Sequence, residues 1–298
     1  MRIGIDLGGT KIEAIALDAD GTQRIRHRVA APRLGYEATL DAIVRLVAYV
    51  EQATGERGTV GVGIPGAISH ASGTIKNSNS TWMNGRRIGE DLPPRLDRPV
   101  RFENDANCFA LSEAADGAAA GAPVVFGAIL GTGVGGGIVV GGRLLRGRNE
   151  IAGEWGHNPL PAPSDDERPG PACYCGRRGC LEQFLCGPAL ERDYEQSGGG
   201  AAAAIDIDQR ARSGDAVAIA CLRRYEDRLA RALAGIINVL DPDAIVLGGG
   251  LSNIAALYED IPRLWQQYIF SDRVTTRLAA PKHGDSSGVR GAARLWEP

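Results

Sequence analysis

The chain has no surplus of charge in either sense. Its 298 residues carry 33 Lys and Arg against 36 Asp and Glu, a net charge of −3. That balance lacks the clustered basic face that engages nucleic acid, and leaves small molecules as the expected partners. A long apolar segment is missing from the N-terminus, where MRIGIDLGGTK reaches an acid at Asp6. No secretory leader is therefore expected, and the cytoplasm is the expected location. One uncharged stretch, Gly117 to Gly142, is long enough to cross a bilayer. Its centre, GTGVGGG, is a poor helix because each glycine costs roughly 1 kcal/mol against alanine. The flanks VVFGAIL and GIVV have the length of buried strands, so no membrane span is expected. The 41 glycines follow apolar runs and form no repeat, which excludes collagen-like and linker readings. Two familiar nucleotide signatures are absent as well: no glycine turn of the dinucleotide type opens a helix, and no P-loop spacing occurs.

What is present is an α/β pattern with enough apolar residues, 44%, for a core in each of about two domains. RIGIDLGG ends in a glycine turn, and KIEAIALDADG follows as a second strand closing a hairpin. TLDAIVRLVAYVEQATG predicts a helix with Leu40, Ile43, Val47 and Val50 on one face and Gly55 as its stop. TVGVGIPG and VRFEND read as strands, and ANCFALSEAADGA as a helix, which sets Asn104 and Asp105 at a strand-to-helix corner where ligands of open α/β sheets gather. The second half repeats the plan: VVFGAILGTGVGGGIVVGGRLL is again strand, glycine turn, strand. DAVAIACLRRYEDRLARALAGIINVL predicts a long helix with Val217, Cys221, Tyr225, Leu229, Leu233, Ile236 and Leu240 facing a core. In DPDAIVLGGGLSN a strand meets a glycine bend, with Ser252 as a helix cap. SGGGAAAA (197–204) reads as a surface loop without function.

Glycine turns let successive backbone N–H groups approach and cradle a phosphate. Asp6, ahead of the first turn, would repel phosphate unless a cation lies between, which points to a magnesium nucleotide. Any single turn also reads as an ordinary hairpin loop. Asp105 reads either as a base or as a helix N-cap, Asn104 either as a ligand or as a cap or turn residue, and Glu154 and Glu182 either as ligands or as solvated acids. Between His157 and Cys180 lie Cys173, Cys175 and Cys180, a Cys3His donor set of the kind that closes a tetrahedral zinc site. A cytosolic location disfavours a disulfide. The Cys-x-Cys spacing is tighter than the common Cys-x2-Cys, so spacing alone leaves the metal reading open. Cys108, Cys186 and Cys221 lie in apolar helical contexts and read as core thiols.

DLGGTK, NDANC, LGTGVGGG, GEWGH, CYCGRRGCLE, VLGGG and HGDSSGVRGAA, in that order, resemble the ROK family of bacterial sugar kinases and sugar-responsive repressors over nearly the whole chain. The resemblance implies an actin-like ATPase (ribonuclease H-like) fold: two duplicated α/β domains facing across a cleft. Its boundaries would fall at 1–116, completed by a C-terminal helix at about 286–298, and at 117–285, which holds the cysteine loop. It further implies ATP, Mg²⁺ and a structural Zn²⁺ on His157, Cys173, Cys175 and Cys180. Asp6, Gly8, Gly9, Thr10 and Lys11 correspond to a first phosphate loop, Gly131, Thr132 and Gly133 to a second, and Gly248 and Gly249 to the adenosine-side turn. Asp105 corresponds to the catalytic base, and Asn79, Asn104, Glu154, His157 and Glu182 to sugar ligands. His157 would ligate zinc through one ring nitrogen and bind sugar through the other. Where many glucose- and N-acetylglucosamine-type members place Val-Pro after the asparagine, Ser80 and Thr81 stand here, with Trp82 following. This is similar to the fructokinase branch, so fructose phosphorylated at O6 is the expected reaction, with glucose, mannose or N-acetylglucosamine as alternative substrates. A homodimer is the expected assembly. A non-catalytic sugar-sensing regulator is the rival from another class; a repressor would need a DNA-binding element, and only five residues precede Asp6.

Overall fold

The hairpin read from the first strand–turn–strand pattern is β1 (Arg2–Leu7) and β2 (Lys11–Leu17), paired antiparallel with Asp6 opposite Glu13. The structure, a computed structural model, describes residues 1–32, 35–78, 80–284 and 287–296. Two compact units divide the chain: Met1–Gly117 with the C-terminal helix, and Ala118–Gly284.

In the first unit, β3 (Gln23–Ala30), α1 (Tyr36–Thr54), β4 (Thr59–Ile64), the small ribbon β5 (Ala67–Ile68) and β6 (Ile75–Lys76), α2 (Ile88–Leu96), β7 (Val100–Asn104) and α3 (Asp105–Ala115) follow in order. The sheet runs β3-β2-β1-β4-β7, with the hairpin strands antiparallel and β1, β4 and β7 parallel. Helix α1 begins three residues ahead of the expected Thr39 and ends at Gly55, whose left-handed φ of 69° lets its N–H close on Glu51 O. Leu40, Ile43, Val47 and Val50 are buried with Ile3, Ile5 and Val62, each such side chain contributing about 1.5–3 kcal/mol. The C-terminal helix Ser287–Arg294 lies so close to the sheet that a Cβ on Gly4 or Gly61 would stand 2.0 Å from Val289 O or Ala292 O. Glycine is obligatory at both positions. Asp116 locks this helix through Arg290 at 2.8 Å and Arg294 at 2.6 Å.

The second unit repeats the plan. The uncharged stretch forms β8 (Val124–Leu130) and β9 (Val134–Val140), followed by β10 (Arg143–Leu144), α4 (Glu182–Leu185), α5 (Gly187–Tyr194), α6 (Ala204–Arg212), α7 (Ala216–Leu240), β11 (Ala244–Gly248), α8 (Leu257–Leu264) and β12 (Arg277–Ala279). Its sheet order is β10-β9-β8-β11-β12, antiparallel on the hairpin side and parallel on the other, as in the first unit. Asp215 caps α7 by accepting from Val217 and Ala218, and Cys221, Tyr225, Leu229 and Leu233 are buried along it. Cys108 and Cys186 are buried too. Ser252 does not cap a helix: it lies inside the short 3-10 turn Gly250–Asn253, and its Oγ donates back to Gly249 O at 2.7 Å. Among the described residues, no helix is long and apolar enough to cross a membrane.

Candidate active site

The first unit gathers its chemistry at the ends of β1 and β7. Gly8 N–H donates to Lys11 O at 3.0 Å and Ala31 N–H to Thr10 O at 3.0 Å, which turns the chain tightly and leaves Gly9 and Thr10 exposed at the tip. Asp6 lies against Gly63 and Gly288, where Cβ atoms would stand 3.7 and 3.6 Å from its Oδ1. Desolvation, then the negative charges of Asp105 and Glu13, push its carboxyl up to about 7. Carboxylates whose negative charges oppose one another are a natural seat for a cation. Glu13 is buried and neutralised by Arg26 and by Arg28, whose Nε reaches it at 2.7 Å.

The corner after β7 removes the capping reading of Asp105. The N-cap is Asn104: its Oδ1 accepts from Ala106 N at 2.9 Å and Asn107 N at 3.3 Å, while its Nδ2 donates to Gly66 O at 3.0 Å. Asp105 is the first residue of the helix itself, and one of its oxygens accepts from Ala106 N at 2.8 Å. Asn104 is thus spent mainly on structure, with one amide hydrogen left for a ligand.

Asn79 lies outside the described residues. Around it, Asn84 clamps the backbone of Ser78 with two bonds of 2.9 and 3.0 Å, and Ser78 Oγ accepts from Ser80 N at 3.1 Å. Ser80 is buried, and a Cβ on Gly9 would meet its Oγ at 3.5 Å. The loop therefore rests on the first glycine turn.

In the second unit, Gly131 N–H donates to Gly133 O at 3.0 Å and Gly187 N–H to Gly131 O at 2.8 Å. Gly249 has φ of 80°, and a Cβ there would stand 2.4 Å from Leu130 O. The two glycine turns are thus in backbone contact, an approach that any side chain would block. Beside them opens a pocket of about 450 Å³, lined by Thr132, Pro188, Ala204, Ile205, Gly250 and Ile254 among others. Gly248 is buried in β11 and Gly249 is pressed on Leu130, so Gly250 is the residue of this bend that faces the pocket. The stretch read as a functionless loop contributes Ala203 and Ala204 to the same wall, next to Ile205. No local signal marked them, because alanines gain a role here only from what folds opposite them.

GEWGH docks on β9. Trp155 is buried edge-on against Phe126, and its Nε1 donates to Gly135 O at 2.8 Å. Glu154 is exposed at the start of this turn. Glu182 is not a solvated acid: it is 8% exposed, and its Oε2 accepts the Val134 N–H at 3.1 Å at the foot of the second glycine turn. Backbone bonds from Leu181 N to Asn158 O at 2.8 Å and from Leu160 N to Gly179 O at 3.0 Å join the His157 segment to the cysteine loop.

His157, Cys173, Cys175 and Cys180 offer four donor atoms, all within 4.8 Å of one another. Cys173 Sγ lies 3.6 Å from His157 Nδ1, and Cys175 Sγ lies 3.6 Å from Cys180 Sγ. Tetrahedral zinc, with bonds of about 2.3 Å to sulfur and about 2.0 Å to nitrogen, sets its donors about 3.6–3.8 Å apart, so the set fits such an ion. The Arg177 backbone and guanidinium hold the Cys175 thiol down at about 6, toward the thiolate that a metal requires. His157 Nε2 does not point to empty space. It meets Tyr174 Oη at 3.0 Å, a contact that no sequence signal announced.

The ROK family model matches residues 2–298. The chain belongs to the ROK family. Among ROK relatives, N-acetyl-D-glucosamine kinase of Pectobacterium atrosepticum is 40% identical over 299 residues, covering 99% of this chain and 98% of the relative. The ROK hexokinase structure from Thermus thermophilus superposes with a TM-score of 0.86 at 33% identity, covering 98% of this chain and 96% of that one. A ROK glucokinase from Streptomyces griseus, solved with glucose and AMPPNP, gives 0.82 at 31%, covering 99% and 98%. The duplicated sheets are those of the actin-like two-domain ATPase fold, and the chain has the architecture of the ROK sugar kinases.

Proposed function

We propose that this protein is an ATP-dependent hexose kinase that phosphorylates the sugar at O6, with Asp105 as general base. The observation that carries the reading is the division of labour at the corner after β7, where Asn104 caps the helix and Asp105 is released from that duty. An Asp105 oxygen takes the proton of the O6 hydroxyl as O6 forms its bond to the γ-phosphorus. The bond from that phosphorus to the β–γ bridging oxygen breaks, and ADP leaves. In the first unit the turn offers the backbone N–H groups of Gly9 and Thr10 and the Lys11 cation to phosphate. In the second, Thr132 and Gly133 offer backbone N–H groups, and the apolar pocket of about 450 Å³ beside them suits an adenine ring.

Asp6 is the residue to hold Mg²⁺, which when bound offsets charge on the phosphates. His157, Cys173, Cys175 and Cys180 would hold a structural Zn²⁺ that clamps their loop. Glu154, His157 and Glu182 offer hydrogen bonds to sugar hydroxyls.

Two sugars each have a specific observation behind them. N-acetyl-D-glucosamine has the stronger support, from relatives of that activity at 40% identity along the whole chain. Fructose rests on the Ser80-Thr81-Trp82 stretch, where the Trp82 indole N–H is buried without a partner among the described residues. An ADP-release assay over N-acetyl-D-glucosamine, fructose, mannose and glucose decides between them. A protein that binds ATP yet turns over none of the four would overturn the kinase reading in favour of a sugar-sensing regulator.

A further inference from the structure

Tyr174 stands between two of the thiols that form the metal cluster. Its backbone is held by the tight turn in which Cys173 N–H donates to Arg177 O at 2.8 Å and Gly176 N–H to Cys173 O at 3.0 Å. The side chain is 73% exposed, so burial of its ring does not explain its orientation. It nevertheless folds onto His157, edge to face at 5.2 Å and 85°, with its hydroxyl 3.0 Å from Nε2.

That nitrogen is the one His157 has left. Nδ1 faces Cys173 at 3.6 Å, inside the donor cluster. With the Nδ1 lone pair given to a metal, the ring proton sits on Nε2 and is donated to the Tyr174 oxygen. An oxygen that receives this imidazole N–H stands where a bound sugar hydroxyl would find its partner.

We infer that the Tyr174 hydroxyl competes with a substrate hydroxyl for His157 Nε2, which makes Tyr174 a residue that sets sugar affinity. The inference rests on the hexose-kinase reading above. Sugar binds only the fraction of molecules in which Tyr174 has released His157, and the apparent affinity is lowered by that fraction. Tyr174→Phe keeps the ring and removes the hydroxyl, so it raises that fraction.

The experiment uses the zinc-loaded, full-length protein and whichever of the four hexoses turns over fastest. Sugar Kd is measured by calorimetry without nucleotide, and KM and kcat by ADP release, for wild type and Tyr174→Phe. With a single competing hydrogen bond removed, Kd and KM for sugar fall about three- to tenfold. The kcat, the KM for ATP and the zinc content stay as they were. In wild type, sugar also produces a near-ultraviolet tyrosine difference spectrum that Tyr174→Phe lacks. Tyr174→Ala, which also lacks the hydroxyl, tightens Kd as well.

A weaker Kd in Tyr174→Phe would make the hydroxyl a sugar ligand and overturn the inference, and an unchanged Kd would overturn it equally. Failure of the underlying reading looks different: wild type would then phosphorylate none of the hexoses, and His157→Gln would leave sugar binding unaltered.

Discussion

The Glu182 carboxylate accepts the backbone N–H of Val134 across 48 residues of sequence, at 3.1 Å and in a buried setting. Through this bond the helix that follows the cysteine loop is tied to the foot of the second glycine turn. Glu182→Ala leaves a buried N–H without a partner, at a cost of about 1–3 kcal/mol. We expect a lower melting temperature and a raised KM for both sugar and ATP. Glu182→Gln, whose amide oxygen can still accept from Val134, should recover the ATP KM but not the sugar KM. An ATP KM untouched by Glu182→Ala would show that the tie does not reach the turn.

Asp105→Asn should reduce kcat by about 10²–10⁴ while sugar Kd changes little, because the amide keeps the shape and loses the basicity. Its stability should match wild type, since Asn104 makes the cap. Asn104→Ala reverses the pattern in part, costing about 1 kcal/mol of stability. Chemical denaturation and steady-state kinetics on both variants check this. A large loss of stability in Asp105→Asn would mean that the carboxylate is structural after all.

Asp6 makes stability depend on pH in a defined direction. Its carboxyl titrates near 7 in the folded chain against 3.8 in the reference state, so the folded form holds its proton longer. Stability is therefore lost as pH rises from about 4 to about 7, and the loss is complete above that. Without divalent cations, Asp6→Asn should melt above wild type at pH 8, and the difference should close at pH 4. Melting curves at the two pH values are the measurement. A constant difference at both would remove the coupling from the account.

Cys175→Ser should lose one equivalent of bound zinc and weaken sugar binding in the same step, because the loop that carries His157 loses its clamp. Metal analysis paired with sugar titration tests this, and a chelator applied to wild type should reproduce the effect. Protein with one zinc fewer and unchanged sugar kinetics would separate the two functions.

The elements and the chemistry were legible in the residues wherever neighbours in sequence are also neighbours in space. The apolar strand runs, the stop at Gly55, the long core-facing helix and the glycine hairpins depend on local stereochemistry, which a short stretch of chain carries entire. The Cys3His set was legible because three of its members lie within eight residues. Tertiary structure alone decided what distant groups did to one another. It assigned the cap to Asn104 in place of Asp105, buried Glu182 beneath a turn 48 residues away, and made a pocket wall of alanines. It also turned Tyr174 onto His157. The physical reason is that desolvation and hydrogen-bond partnership belong to the surroundings of a group, and those surroundings come from segments that the local sequence does not specify.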